Sequence, residues 1–228
     1  MRKFLSSNIL LLKYVFALKI LTVMKIKGKT AIITGASGKL GSAIVPALAE
    51  QGCNCICQYH KNRESAEQIA NDAKQKGVEA KPVKADITKP DDLENLIESA
   101  REFGNLQILI NSAAVFERTE LKDATFQQSE RIMNLNFTAA VMLSKFFAQS
   151  LEGKSDQPGK IINITDIGGI RPWAGYVFYC ASKAALISAT KSLAKELATD
   201  ICVNSIAPGF IDIPEGYDQA DIDRQLGF

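Results

Sequence analysis

Short apolar runs alternate with longer amphipathic stretches along the chain from Lys27 onward. The runs Thr30–Thr34 (TAIIT) and Leu106–Asn111 (LQILIN) show little polar alternation, which is typical of strands buried on both faces. Further strands are predicted at Cys53–Tyr59, Val78–Ala85, Lys160–Thr165 and Ile201–Ala207. Helices are predicted at Gly41–Gln51, Glu64–Lys76, Asp91–Phe103, Phe126–Leu151 and Tyr176–Thr199.

This alternation predicts an α/β fold, a Rossmann-like doubly wound parallel sheet with helices on both faces. Such a sheet binds ligands beyond the carboxyl ends of its strands. The candidate functional residues all follow a predicted strand: Gly35, Tyr59–Arg63, Asp86, Asn111, Asp166 and Pro208. Their common position is a stronger indication of a binding site than any one motif.

Composition adds few constraints. Of the 228 residues, 46% are hydrophobic and 23% are charged, which suits one globular core. The net charge of +2 gives no argument for a nucleic acid or an anionic membrane as partner. We interpret residues 24–228 as a single domain.

Residues 1–23 form an apolar and basic extension without an acidic residue. Lys13 and Lys19 interrupt it, so no uncharged run approaches the roughly 20 residues of a membrane span. The extension is either a targeting or interfacial segment, or an appendage that precedes a working start at Met24. We favour the second interpretation, because a predicted strand begins directly afterwards.

The five cysteines indicate no metal site. Cys53, Cys55 and Cys57 alternate along one predicted strand, and C-x-x-C pairs are absent. We expect reduced cysteines in a core, which fits a cytoplasmic protein.

The stretch Thr34–Gly41 (TGASGKLG) follows the first predicted strand and opens a helix. Glycines let the backbone approach a pyrophosphate, and the helix N-terminus supplies N–H donors and positive potential. This turn therefore predicts a dinucleotide site. The candidate cofactor residues here are Gly35, Ser37, Lys39, Leu40 and Gly41.

The chain resembles the short-chain dehydrogenase/reductase family in this turn, in YCASK (Tyr179–Lys183) and in VNSIAPG (Val203–Gly209). The usual family turn is TGxxxGxG, and Lys39 stands in the place of its middle glycine. The pteridine reductases are similar, with a basic residue there that reaches the cofactor phosphate and the pterin site. The resemblance implies this role for Lys39; the alternative is a solvated lysine.

The cofactor predicted is NADPH. The stretch YHKNR ends the second predicted strand without the acid that would hold a ribose 2′-hydroxyl. Cations suit a 2′-phosphate instead, and pteridine reductases carry a similar Y-H-R-S stretch. The candidate residues are Tyr59, His60, Lys61 and Arg63.

The family resemblance implies further cofactor contacts. Asp86, followed by Ile87, would cap the adenine pocket, although an acid here is also a common turn cap. Asn111 and Ala113 match the family motif NNAG, whereas Ser112 and Ala114 depart from it. By the same resemblance, the remaining cofactor contacts are Lys183, Pro208 and Gly209.

Tyr179 and Lys183 lie four residues apart and share one face of a predicted helix. A free tyrosine has a pKa of about 10, and we expect the lysine to lower it and make a general acid. The resemblance implies that Lys183 binds the nicotinamide ribose and that Asn136 supports it through water. A helix asparagine that caps a bend is the alternative for Asn136.

Asp166 stands where most family members have a serine, thirteen residues before Tyr179. An ionised aspartate cannot donate to a substrate carbonyl and repels a developing oxyanion, so ketone reduction is disfavoured. It can accept from a ring N–H or amino group, or share a proton with Tyr179. Pteridine reductases have a similar Asp–Tyr–Lys set, and Phe116 matches their phenylalanine that stacks on the pterin; a core phenylalanine is the alternative.

These features predict an NADPH-dependent reductase of a pterin or dihydrofolate-like C=N bond. One alternative is a carbonyl or 3-oxoacyl-thioester reductase in which Asp166 replaces serine. Another is an inactive nucleotide-binding relative, because family members usually continue beyond Gly209 with two helices and a last strand. Pro214–Gly216 is similar to the substrate loop of bacterial pteridine-reductase-like proteins. Relatives form tetramers, but much of that interface lies in the part missing here, so a homo-oligomer stays open.

Overall fold

The computed structural model describes residues 25–152, 158–209 and 211, so the extension 1–23 and Pro214–Gly216 lie outside the described residues. Its strands form one parallel sheet in the order β3-β2-β1-β4-β5-β6. The strands are β1 Thr30–Ile33, β2 Asn54–Tyr59, β3 Ala80–Lys84, β4 Leu106–Asn111, β5 Gly159–Ile164 and β6 Ile201–Ile206. The helices are α1 Gly41–Glu50, α2 Arg63–Lys74, α3 Pro90–Phe103, α4 Phe126–Met133, α5 Ala139–Leu151 and α6 Val177–Glu196.

The predicted Rossmann-like sheet is confirmed. The chain winds outward from β1 to β3, then returns to β4 on the other side of β1, so the order reverses between β1 and β4. Both of these strands are buried along their whole length. The reversal leaves a crevice beyond their carboxyl ends, which is where sheets of this type bind ligands.

Two apolar layers cover the sheet. One layer packs α1 and α2 against it, through residues such as Val45 and Ala70. The other packs α3, α5 and α6, with Leu143 and Phe147 fully buried among them. Right-handed crossovers place the helices on one face while the strand order runs from β1 to β3, and on the other face after the order reverses.

The expectation that strands are buried on both faces fails for β3 and β6, which are the sheet's edges within the described residues. In β6 the exposed Cys202 alternates with the buried Ile201 and Val203. β3 carries Pro82, a residue that an edge strand tolerates because it lacks an N–H donor. Position in the sheet therefore decides how much of each strand is covered.

The predicted helix Phe126–Leu151 is helical along its whole length, but it is not α-helical throughout. A π-helical turn, Asn134–Thr138, separates α4 from α5. Its inserted residue changes the direction in which side chains leave the helix, and such insertions are frequent at functional sites. The buried Asn136 lies within this turn.

Candidate functional site

A cavity of about 420 Å³ opens beyond the carboxyl ends of β1, β2, β3 and β4. The predicted cofactor residues that line it are Gly35, Ser37, Lys39, Leu40, Gly41, His60, Lys61, Asp86, Ile87 and Ala113. Sequence reasoning missed Gly38, Gln58, Asn62, Ala85, Ser112, Ala114 and Leu135, which also line it. The sheet thus brings residues from four separate stretches to one crevice.

The Gly-rich turn after β1 needs glycine at two positions. Gly35 has φ +63°, and a Cβ there would lie 2.8 Å from Cα of Ala113. A Cβ on Gly41 would lie 2.6 Å from Cα of Ala36. Both approaches are closer than a side chain allows, so the turn keeps its backbone open to the cavity. The N-terminus of α1 faces the same space, which makes the cradle suitable for a pyrophosphate.

Two buried polar side chains hold this turn, and neither was singled out from the sequence. Oγ1 of Thr34 accepts from the backbone N–H groups of Ser112 (2.9 Å) and Ala113 (3.0 Å). Oε1 of Gln58 accepts from the N–H of Gly35 at 2.8 Å. The sequence could have indicated Thr34 and Gln58, because each is a polar residue at or near the carboxyl end of an otherwise apolar strand.

Six predicted cofactor residues do not line the cavity, namely Tyr59, Arg63, Asn111, Lys183, Pro208 and Gly209. Tyr59 is buried at the end of β2. Arg63 begins α2 and forms an exposed ion pair with Glu67 at 2.7 Å. Nδ2 of Asn111 donates to Oδ1 of Asn163 at 2.8 Å, beneath the cavity. Tyr59 and Asn111 therefore support the site from inside the fold.

Asp86 caps the turn that follows β3, which is the alternative considered for it. It lines the cavity, and its Oδ1 accepts from the hydroxyl (2.7 Å) and the N–H (3.1 Å) of Thr88. The hydrogen bond from the Thr88 hydroxyl is the main cause that holds the pKa of Asp86 below its usual range.

Pro208 and Gly209 lie beyond β6, where the carbonyl of Pro208 accepts from the N–H of Ile167 at 3.0 Å.

A second group of residues lies at the same edge of the sheet, beyond β5. The hydroxyl of Tyr179 donates to Oδ2 of Asp166 at 2.7 Å. Oδ1 of Asp166 accepts from the N–H of Gly168 at 2.7 Å, at the start of a short 3₁₀ turn. Lys183 donates to the carbonyl of Ile164 at 2.9 Å. The three predicted residues Asp166, Tyr179 and Lys183 are therefore brought together.

Burial controls the proton affinity of this group. It raises the pKa of Tyr179, and the hydrogen bond to Asp166 raises it further. Burial also lowers the pKa of Lys183 to about 8, which the charge of Asp166 partly opposes. The pKa of Tyr179 is therefore raised overall, whereas a lowered value was expected from the neighbouring lysine. Nζ of Lys183 lies 5.8 Å from the ring centroid of Tyr179.

Four aromatic rings form a wall beside the Tyr179 hydroxyl. Phe116 is 53% exposed, so the alternative of a core phenylalanine is wrong. Its ring stacks on Tyr176 (4.8 Å, 15°) and meets Tyr179 edge-on (4.8 Å, 85°). Trp173 lies parallel to the Tyr179 ring at 6.5 Å. An exposed ring supported by three others is a surface on which a flat heterocycle can stack.

The loop that carries Phe116 is fixed on both sides. The carboxylate of Glu117 accepts from Gln128 Nε2 at 2.9 Å and from Arg131. The N–H of Thr119 donates to the carbonyl of Gly175 at 2.6 Å. The loop is therefore tied to α4 and to the segment that leads into α6.

Asn136 also holds this loop. Its Oδ1 accepts from the N–H of Val115 (2.8 Å), and its Nδ2 donates to the carbonyl of Val115 (3.0 Å) and the hydroxyl of Ser182 (3.1 Å). These bonds join Asn136 of the π-helical turn to the loop at Val115 and to Ser182, the residue before Lys183 in α6.

Two negative findings apply to the part of the chain that the structure describes. No group of three or more His, Cys, Asp and Glu side chains there could hold a metal ion. None of its helices has the length and apolar character needed to cross a membrane.

The fold, the glycine turn and the Asp–Tyr–Lys group define a dinucleotide-dependent oxidoreductase. A model of the short chain dehydrogenase family matches residues 29–221. The chain therefore belongs to the short-chain dehydrogenase/reductase family, whose members are NAD(P)-dependent oxidoreductases.

The chain is similar to relatives of differing activity. It is 35% identical over 186 residues to 3-oxoacyl-(acyl-carrier-protein) reductase FabG of Staphylococcus epidermidis, covering 80% of this chain and 75% of that protein. A structure of FolM alternative dihydrofolate reductase 1 from Brucella canis, complexed with NADP, matches with a TM-score of 0.80 and 28% identity. That match covers 89% of this chain and 80% of the other. Acetoin dehydrogenase YohF from Salmonella typhimurium matches with a TM-score of 0.77 and 30% identity, covering 85% and 77% of the two chains.

Proposed function

We propose that this protein is an NADPH-dependent reductase that acts on the C=N bond of a pterin or dihydrofolate-like heterocycle. The hydrogen bond from Tyr179 to Asp166, at 2.7 Å, carries the proposal. This bond places the Asp166 carboxylate, a hydrogen-bond acceptor, beside the Tyr179 hydroxyl. A ketone reductase needs a second hydrogen-bond donor at that place to bind the substrate carbonyl. The similarity to a solved alternative dihydrofolate reductase supports it.

The cavity fits a nicotinamide dinucleotide. Gly35 and Gly41 line the cavity, and the turn can pack its backbone against Ala113 and Ala36 only because neither residue has a Cβ. Lys39, His60 and Lys61 line the cavity, and no acid lies among residues 59–63 at the end of β2. The two lysines favour NADPH over NADH, because a cation suits a 2′-phosphate. When bound, the reduced cofactor supplies the hydride.

The protein's own residues bind the heterocycle and deliver the proton. Phe116 stacks against one face of the ring, and Asp166 accepts a hydrogen bond from a ring N–H or amino group. Tyr179 keeps its proton at neutral pH, because burial and Asp166 raise its pKa. It donates this proton to the ring nitrogen as the neighbouring carbon gains the hydride. Lys183, 5.8 Å from the ring centroid, stabilises the phenolate that results.

A second candidate is reduction of a 3-oxoacyl thioester. The 35% identity to the Staphylococcus reductase across 80% of this chain favours it. In that case Asp166 would stand beside the substrate carbonyl, and it would have to be protonated to donate a hydrogen bond.

A substrate panel separates the candidates. Oxidation of NADPH is followed with dihydrobiopterin, dihydrofolate, an acetoacetyl thioester and simple ketones, and then repeated with NADH. We expect turnover of a dihydropterin or dihydrofolate and a lower KM for NADPH than for NADH. Turnover of the thioester alone would establish the second candidate and exclude the first. NADPH binding without turnover of any substrate would indicate an inactive nucleotide-binding relative.

A further inference from the structure

Gln58 is a polar residue at a buried position of β2, with 2% of its surface exposed. Apolar and cysteine side chains surround it along the strand, which reads NCICQY. A buried amide costs free energy unless its donor and acceptor are both satisfied. The structure satisfies both, and both partners are backbone groups.

The two partners lie at different walls of the cavity. Oε1 of Gln58 accepts from the N–H of Gly35 at 2.8 Å, in the glycine turn after β1. Nε2 donates to the carbonyl of Ala85 at 2.7 Å, at the end of β3. The backbone carbonyl of Gln58 also accepts from the N–H of Ala36 at 3.0 Å. Gly35, Gln58 and Ala85 all line the cavity.

We propose that Gln58 is a positioning residue that fixes the glycine turn and the Ala85–Ile87 wall relative to each other. The inference rests on the cofactor site proposed above, which spans these two walls. The two walls then have their binding geometry before a dinucleotide arrives, so no free energy of binding is spent on ordering them.

The hydrogen bonds also select which backbone groups face the ligand. The N–H of Gly35 points into the protein because Gln58 accepts from it. Without the amide, this N–H and the carbonyl of Ala85 would be left without their present partner. The turn would then rearrange to reach other groups or water, and the cradle formed around Gly41 would change shape.

Gln58→Leu and Gln58→Met remove the amide with little change in volume, and dissociation constants for NADPH and NADH are measured by calorimetry without substrate. We expect both constants to rise at least about tenfold, as expected for two lost buried hydrogen bonds. The rise should be equal for the two cofactors, because they share the pyrophosphate.

Gln107→Leu is the matched control. Gln107 is equally buried and lies in β4, on the other side of β1, near the amino end of its strand and outside the cavity lining. This variant should keep wild-type cofactor binding. Equal effects of the Gln58 and Gln107 variants on binding would show a merely structural role and overturn the inference, as would unchanged binding in Gln58→Met. Failure of the wild type to bind either dinucleotide would overturn the proposed cofactor site and this inference with it.

Discussion

The hydroxyl of Tyr179 donates to Oδ2 of Asp166, while Oδ1 of the same carboxylate accepts from the N–H of Gly168. Both oxygens are therefore held, one by the proton donor and one by the turn that follows β5. A carboxylate fixed in this way presents its remaining lone pairs to a substrate instead of to solvent. The proposed preference for a nitrogen heterocycle depends on this arrangement.

Asp166→Ser should reverse the substrate preference. Serine can donate to a carbonyl but cannot carry the negative charge that we assign to recognition of the heterocycle. We expect kcat/KM for a dihydropterin to fall by about 100-fold, within the range typical of a lost acid–base partner. Reduction of a ketone or thioester should rise in the same variant.

Asp72→Ser makes the same exchange at a partly exposed position of α2, outside the cavity lining, and should leave both activities unchanged. Unaltered dihydropterin reduction in Asp166→Ser would exclude the role proposed for this carboxylate.

Phe116→Leu should weaken substrate binding more than the chemical step. The substitution removes the stacking surface but leaves Tyr179 and Asp166 in place, so we expect KM for a dihydropterin to rise about fivefold to tenfold. The chain has a single tryptophan, Trp173, which lies 6.4 Å from the ring of Phe116. Its fluorescence should therefore shift in the variant and upon substrate binding.

Phe126→Leu provides the comparison, because Phe126 is 90% exposed and stands outside the aromatic wall. A rise in KM in this variant as large as that in Phe116→Leu would argue against stacking on Phe116.

Lys183 should make stability depend on pH in a defined window. Its folded pKa is about 8, below the ordinary value of 10.5, because burial disfavours the charge. Between these values the unfolded chain binds a proton that the folded chain has released, so folded stability rises with pH. Relative to Lys183→Met, the wild type should gain about 3 kcal/mol between pH 7 and pH 10.5.

Denaturant unfolding of the wild type and of Lys183→Met between pH 7 and pH 10.5 measures the difference in their free energies of unfolding. Other titrating groups contribute equally to both proteins, so they cancel in this difference. Lys191→Met alters an exposed lysine of the same helix and should show no such rise. A constant difference between wild type and Lys183→Met would mean that Lys183 titrates normally in the fold.

The cysteines should differ sharply in reactivity. Burial raises the pKa of the Cys53 and Cys57 thiols to about 12, and it raises those of Cys55 and Cys180 as well. Cys202 is exposed on the edge strand β6. Since the thiolate is the reactive form, iodoacetamide at pH 8 should label Cys202 first in the native protein.

Peptide mass spectrometry identifies the labelled site, and Cys202→Ser should abolish the fast reaction. The other four thiols should react only after unfolding. Rapid labelling of Cys180 in the native protein would show that the site beside Tyr179 opens more than the structure indicates.

The sheet could be predicted because runs such as TAIIT and LQILIN show little polar alternation, which is typical of strands covered on both faces. The alternating helices then left few arrangements. The Asp166, Tyr179 and Lys183 group was predicted because helical spacing and family motifs specify it.

Other features depend on contacts that no local pattern encodes. The π-helical turn carries Asn136, which bonds to Val115, a residue 21 positions earlier in the chain. Gln58 was missed because its partners, Gly35 and Ala85, become neighbours only in the folded sheet. Arg63 was assigned to the cofactor by charge, whereas its helical position turns it towards Glu67.

The hydrogen bond from Thr119 to Gly175 joins the loop after β4 to the segment that precedes α6. Phe116 lies in the loop after β4, and Tyr179 lies in the first turn of α6. The hydrogen bond therefore couples the position of the aromatic wall to that of the proposed proton donor. A change that reshapes the wall for a new substrate will also move the proton donor. Broadening of substrate range in this protein should therefore come with altered turnover, unless a second change restores the position of Tyr179.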